Sequence, residues 1–374
     1  MLAGVLDPEV FADRSAEALL GRSLHECPFP ESDWQQRRVL ITGAGTVGRG
    51  IATRLMAVPG LQLAVLDHAE QPLFRTRMAT GGRGAAGSGI RWVLGSVRER
   101  SLVHRIVEEF QPDTVFHTAA IKHVAIAEAN PVETVRTNVL GTEVVLSAAL
   151  SAGVERFVLV STDKAVEPVS LMGASKRLAE RLVCAADHPA GSATACMVVR
   201  SGNVLGSTGS VLAAFLHQVA RGGALPVRSG TAERLFLTPS ETSGLILAAK
   251  AAGRAGDICV PMVSTAVRLA DLTERFLRVL NLDPEYPLAV SQLLPGERAS
   301  EKLWSGTAPE ASGAPGISVV SGSGTPWDDL ERPLSELGIA AHELNVNGVI
   351  EILRQLVVEY ALTDEQVPEE REHQ

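Results

Sequence analysis

The chain has 374 residues, 45 % of them apolar and 21 % charged, with a formal net charge of −9. That length buries one large or two medium cores, and the balance is that of a globular protein. The negative charge excludes a nucleic-acid partner, whose phosphates need a basic face.

No apolar run approaches the roughly 18 residues of a membrane span. The amino terminus carries Asp7, Glu9 and Asp13 and lacks a basic-then-apolar leader. A cytoplasmic enzyme with no membrane span is expected. Cys27, Cys184, Cys196 and Cys259 match no Cys-x-x-Cys or Cys/His spacing, so they read as buried thiols and no metal site is expected.

Residues 1–35 lack clear periodicity, contain Pro8, Pro28 and Pro30, and read as an N-terminal arm. Val39-Leu40-Ile41-Thr42 is a short buried strand, followed by a glycine-rich turn and a helix near 47–57. Further strands are expected near 61–66, 91–95, 114–118, 156–161 and 195–200, with helices near 101–110, 132–153 and 172–186. Strands alternating with helices mean an α/β fold, a Rossmann-like doubly wound parallel sheet over 36–202. Beyond Gly202 the pattern loosens into a smaller mixed lobe, 203–304, with helices near 209–221, 239–252 and 268–280. Residues 305–326, rich in Gly, Ser, Pro and Ala, read as a flexible connection. A C-terminal helical segment, 327–361, contains an amphipathic helix near 344–360, and an acidic tail, 362–374, comes after it.

Gly43-Ala44-Gly45-Thr46-Val47-Gly48 follows a strand and opens a helix, the context in which Gly-x-Gly-x-x-Gly binds a dinucleotide. The first glycine permits the turn and the second lets backbone approach a pyrophosphate. The third allows close helix–strand packing. Asp67, about twenty residues on, can accept both ribose hydroxyls. His68-Ala69-Glu70 supply no arginine or lysine for a 2′-phosphate, so NAD is expected rather than NADP.

Strand Phe157–Val160 runs into Ser161-Thr162-Asp163-Lys164, with Leu171-Met172-Gly173-Ala174-Ser175-Lys176 downstream. On a helix, Met172 and Lys176 share one face. The spacing resembles the Ser/Thr…Tyr-x-x-x-Lys constellation of extended short-chain dehydrogenases/reductases, with Met172 in place of the tyrosine. Asp-Lys followed by Met-Gly-Ala-Ser-Lys is similar to the nucleotide-sugar 4,6-dehydratases of capsular-polysaccharide biosynthesis. Leu66–Glu70, Phe116–Val124, Thr137–Thr142, Gly202–Ser207, Pro295-Gly296-Glu297 and Leu356–Tyr360 resemble that group's signature segments, as does Leu19-Leu20-Gly21-Arg22. The resemblance covers about residues 18–360. Relatives of that type often carry a membrane-spanning half, and a form without it is expected.

The resemblance implies a redox-neutral reaction: oxidation at the sugar C4, loss of water across C5 and C6, and hydride return to C6. It makes Asp163 the acid and Lys164 the base at C5. Lys176 is implied at the nicotinamide ribose and as the nearby cation that lets Lys164 act as a base. Met172 accepts no proton, so Thr162 and Asp163 are the candidates for the C4 hydroxyl proton. The expected cofactor surface is Gly43, Gly45, Thr46, Val47, Gly48, Asp67 and His68. By resemblance it also includes Ser96, Val97, Ala119, Ala120, Lys122, Asn138 and Lys176. Substrate residues implied are His123, Asn203, Ser210, Arg234 and Arg298. The glycine turn is one residue shorter than in these relatives, Ser96 replaces an aspartate, and Leu294 replaces an arginine. The expected substrate is a sugar nucleotide, UDP-linked by preference, and a homo-oligomer is expected. A C4 or C5 epimerase on the same fold, or a non-catalytic NAD-binding regulator, are the alternatives.

Overall fold

The computed structural model describes residues 7–25, 27–81, 89–186, 194–228, 232–262, 265–322 and 325–360. At its centre lies a nine-stranded sheet. Six parallel strands run across it in the order Gly89–Leu94, Gln62–Asp67, Arg38–Thr42, Thr114–His117, Arg156–Thr162 and Ala195–Ser201. The order reverses between Arg38–Thr42 and Thr114–His117, and a ligand crevice opens at the carboxyl ends of strands at such a point. These strands read as near-continuous apolar runs because helices cover both faces.

Alternation along each strand divides the core in two. On one face Leu40, Leu66, Val115 and Phe157 pack with Val103 and Ile106, and with Leu178 and Leu182. On the other, Ile41, Val65, Phe116 and Val158 pack with Ile51 and Leu55 of helix Thr46–Leu55. Leu245 and Ile246 of helix Pro239–Ala252 join that second cluster. The chain after Gly202 therefore returns to the main sheet, interleaving the expected lobe 203–304 with the sheet domain.

Two expectations are corrected. Strand Asp257–Pro261 extends the sheet parallel to Ala195–Ser201, and Ile317–Ser321 then pairs antiparallel with it, with Glu310–Ala311 at the edge. Both antiparallel strands lie in the stretch expected to be flexible. Gly313 and Gly316, each at positive φ, turn the chain between Glu310–Ala311 and a five-residue strand that the turn-forming composition conceals. The N-terminal arm is also folded, with helices Pro8–Arg14 and Ala16–Leu20. Asp7 accepts hydrogen bonds from the Glu9 and Val10 amides, and Pro8 opens the helix. Phe11, Leu19 and Leu20 then enter the lobe core with Leu212, Phe215, Leu272 and Phe276. Helices this short show too few turns for periodicity to register.

The helical run expected over 132–153 consists of Pro131–Val135, a π-helical turn Arg136–Leu140 and Gly141–Ser151. Helix Glu70–Ala79 lies outside the elements expected from the sequence, and Trp327–His342 precedes the C-terminal helix Val346–Leu356. The acidic tail lies outside the described residues. Among the described residues no helix is long and apolar enough to cross a membrane.

A buried ion pair ties the sheet to its covering helix. Arg200 donates to both oxygens of Glu180, at 2.8 and 2.7 Å, and Ser161 adds a third bond at 2.7 Å. Burial pushes the Glu180 carboxyl up, but Arg200, Arg177 and Ser161 outweigh it and its pKa falls below the usual value. The stabilisation is thus present above the ordinary glutamate range and lost as pH falls through the depressed folded value. Replacing Arg200 leaves Arg177 and Ser161 to hold the buried Glu180 charge, so Arg200→Met is expected to cost about 3–5 kcal/mol. Chemical denaturation at neutral pH reads this directly, and an unchanged midpoint would refute it.

Candidate active site

Strand Arg156–Thr162 ends at the crevice and passes into one 3₁₀ turn, Asp163–Ala165. Thr162 Oγ1 donates to Asp163 Oδ1 at 2.9 Å. Lys164 Nζ reaches the same oxygen at 2.9 Å and Asn203 Oδ1 at 3.0 Å. On its other side lies Glu301 Oε1, 3.8 Å away. Asp163 is fully buried, and its second oxygen, Oδ2, has no hydrogen-bond partner among the described residues. A buried carboxyl with one oxygen unpartnered among the described residues is costly to hold, which suits it to take a proton or a ligand's donor.

Helix Leu171–Ala185 is set against this turn by its own amino end. Ser170 Oγ accepts from the Gly173 amide, and Glu128 Oε1 accepts from the Leu171 amide. A Cβ at Gly173 would lie 2.3 Å from the Lys164 carbonyl oxygen, so only glycine permits this approach. Met172 is 2 % exposed and belongs to the apolar cluster beneath the helix. Lys176 is buried and donates to the Val160 carbonyl at 2.9 Å. Burial pulls its pKa down to about 8. The Lys164 amine faces Asp163, Asn203 and Glu301, while the Lys176 amine is bonded to the strand backbone.

Asn138 sits in the π-helical turn, a common functional distortion. It accepts from the Ile121 amide and donates to the Ile121 carbonyl and to Ser175 Oγ. It thereby clamps the loop carrying Ala119 and Ala120 to the helix of Lys176. Behind it, Thr142 donates to the Asn138 carbonyl, so His117 Nε2 must donate to Thr142 and Nδ1 must accept from Thr42. Burial, with Lys176 nearby, pushes the His117 pKa down to about 3 and keeps the ring neutral.

At the cofactor end, Gly43 adopts φ +93°, and a Cβ there would lie 2.6 Å from the Ala119 nitrogen. A Cβ on Gly48 would lie 1.9 Å from the Gly43 oxygen, whereas one on Gly45 would meet nothing within 4 Å. Crowding at the first and third glycines with open space at the second is the shape of a pyrophosphate cradle, so the residues present fit a dinucleotide. Val47 lies in the first turn of helix Thr46–Leu55 beyond this cradle. Asp67 accepts from the Ala44 amide at 2.7 Å and the Ala69 amide at 2.8 Å, with His68 Nδ1 3.3 Å from its Oδ1. Ser96 Oγ accepts from Arg98, and Val97 lies against Gly141. Lys122 Nζ donates to the Thr208 carbonyl at 2.8 Å. Glu9 from the arm accepts from Thr46 Oγ1 at 2.7 Å and pairs with Arg49, a contact sequence reasoning missed. Its signal was present, since Asp7-Pro8-Glu9 is a helix-start pattern.

On the substrate side, Ser210 caps helix Val211–Arg221, and the His123 ring lies against Gly209. Arg234 NH1 donates to the Glu233 and Ala299 carbonyls, and Arg298 NH1 to the Val166 carbonyl. These arginines pin a strap, residues 298–303, beside the Thr162–Lys164 turn. Glu297 turns away from it, accepting from the Leu294 amide and pairing with Arg228. The carboxylate that faces Lys164 is Glu301, four residues later, which sequence reasoning also missed.

Residues 39–319 match the family described as polysaccharide biosynthesis protein. The probable polysaccharide biosynthesis protein EpsC of Bacillus subtilis is 33 % identical over 307 residues, 81 % of this chain and 51 % of that protein. The chain thus spans about half the length of such curated relatives. A UDP-N-acetylglucosamine 4,6-dehydratase (inverting) of Campylobacter jejuni is 32 % identical over 216 residues, covering 57 % of this chain and 61 % of that one. Among solved structures, the dTDP-glucose 4,6-dehydratase DesIV of Streptomyces venezuelae, solved with NAD bound, superposes with a TM-score of 0.62 at 26 % identity. It covers 70 % of this chain and 87 % of its own. The matched region holds the glycine cradle, the Thr162–Lys164 turn and the strap with Glu301, and the chain belongs to the polysaccharide biosynthesis protein family.

Proposed function

We infer that the chain is an NAD-dependent nucleotide-sugar 4,6-dehydratase acting on a UDP-N-acetylhexosamine or a related sugar nucleotide. The observation that carries this reading is the bonded set Thr162, Asp163 and Lys164 at the carboxyl edge of the sheet, next to a dinucleotide cradle. The cradle and Asp67 would hold NAD, which when bound supplies hydride acceptance at C4 and hydride return at C6.

The chain's own groups account for the protons. Thr162 Oγ1 takes the C4 hydroxyl proton while its own passes to Asp163 Oδ1, 2.9 Å away. No tyrosine is needed, and Met172 contributes packing alone. Asp163 is then a protonated acid in a dry site. With a C4 carbonyl in place the C5 hydrogen is acidic, and Lys164, once in its neutral form, removes it as Asp163 protonates the departing C6 oxygen. The released water is the C6 hydroxyl plus the original C4 proton, and Lys164 returns its proton to C5. The cycle closes with every group as it began.

Incubation with a panel of UDP-, dTDP- and GDP-sugars, read by mass spectrometry, tests this. A dehydratase product is lighter by one water, an epimerase product keeps its mass, and a regulator gives no product. For the cofactor, Asp67→Ala is expected to weaken NAD binding about tenfold or more, through lost hydrogen bonds to a charged group. Titration calorimetry measures this, and an unaltered affinity or a preference for NADP in the unmodified protein would defeat the assignment.

A further inference from the structure

Lys164 poses a problem that its neighbours resolve. In the structure its amine is paired with Asp163 at 2.9 Å, so it begins the cycle as an ammonium and has no lone pair for C5. Asp163 cannot relieve it, because that carboxyl must hold the C4 proton for delivery to C6. Asn203, the third contact, accepts hydrogen bonds through its amide oxygen but does not take protons.

Among the described residues the remaining contact is Glu301, with Oε1 3.8 Å from Lys164 Nζ and the side chain 3 % exposed. Its strap is tied from three directions. Arg298 bonds the Val166 carbonyl, Arg234 bonds the Ala299 carbonyl, and Arg200 bonds the Leu303 carbonyl. The last tie reaches back to the buried Glu180 pair, so the sheet itself fixes where Glu301 sits. Burial raises its pKa, with Asp163 adding to the rise and Lys164, Arg234 and Arg298 opposing it. A carboxylate that is costly to keep charged is a ready proton acceptor.

We propose that Glu301 is the proton-accepting partner of Lys164 in the elimination step, an assignment that rests on the dehydratase reading above. When Asp163 takes the C4 proton, the ammonium loses its nearest counter-charge. The Lys164 N–H bond then breaks, an O–H bond forms on Glu301, and Lys164 is left neutral. Its lone pair removes the C5 proton, the C–H electrons form the C5–C6 double bond, and the C6–O bond breaks with the proton from Asp163. After Lys164 returns the C5 proton, Glu301 hands its own back to the amine. The 3.8 Å separation closes on substrate binding, as catalytic hydrogen bonds in ligand-free sites commonly do.

Glu301→Gln keeps the size and removes the acceptor. The test is run in deuterium oxide with the sugar nucleotide that the wild-type protein dehydrates. Water release and C5 deuterium incorporation in Glu301→Gln should fall about 10²-fold or more. The KM and the absorbance of reduced nicotinamide formed on mixing should stay near wild type, and Glu301→Asp should restore part of the lost rate. A general structural defect would instead raise the KM and lower nicotinamide reduction together with the denaturation midpoint, and that outcome overturns the proposal. So does a Glu301→Gln protein that exchanges C5 at the wild-type rate. A wild-type protein that binds NAD but releases water from no sugar nucleotide overturns the dehydratase reading and this proposal with it.

Discussion

Asp163→Asn should lower water release by about 10²- to 10⁴-fold while leaving sugar-nucleotide binding nearly intact. The lower bound is the usual cost of removing one positioned acid. The upper bound applies because the proposed mechanism uses Asp163 in two steps, accepting the C4 proton through Thr162 and giving it up at C6. Asparagine retains the shape of a fully buried side chain and a contact to Lys164, so the fold should hold. What it lacks is the capacity to take a proton, and both oxidation and elimination should therefore slow. Rapid-quench measurement of product with the Asp163→Asn protein checks this. Turnover within tenfold of wild type would place the acid elsewhere.

Thr162→Val should act earlier. The substitution removes one hydroxyl at similar size, the hydroxyl that donates to Asp163 Oδ1 and that the proposed mechanism uses as the relay from the sugar C4 oxygen. The formation of reduced nicotinamide on mixing with substrate should slow by about 10²-fold, the lower end for one lost proton-transfer group. Met172→Leu offers the contrast. It is nearly volume-conserving in a buried position, and activity should remain within about tenfold. Should Thr162→Val oxidise C4 at the normal rate, the proton leaves by a path that bypasses Thr162.

Much of this architecture is legible in the sequence because its physics is local. Buried parallel strands are short continuous apolar runs, so Val39–Thr42 and Phe157–Thr162 declare themselves, and the residues just after each run lie at the crevice. Asp163 and Lys164 are adjacent in sequence and meet in one turn, so their pairing needs no tertiary knowledge. Glu301 is different. Nothing near it distinguishes it from Glu297, and only the ties of Arg234 to Ala299 and Arg200 to Leu303 decide which carboxylate faces the amine. The i,i+4 spacing of Met172 and Lys176 places both on one helix face. It does not reveal that the Lys176 amine ends on the Val160 carbonyl, because that partner comes from the sheet. Strand Ile317–Ser321 is hidden for a related reason. An antiparallel strand of five residues near the sheet edge takes its identity from its partner Asp257–Pro261, not from its glycine-rich flanks.

The dehydratase account makes one demand that no epimerase or binding protein meets. The hydrogen at sugar C4 must move to C6 of the same molecule, with loss of the C6 hydroxyl. A sugar nucleotide carrying deuterium at C4, incubated with the protein and NAD in ordinary water, should yield a 4-keto-6-deoxy product that retains the deuterium in its C6 methyl group. Nuclear magnetic resonance of the product locates the label. Deuterium found still at C4 of a sugar with its C6 oxygen intact, or a substrate recovered unchanged, would contradict the account.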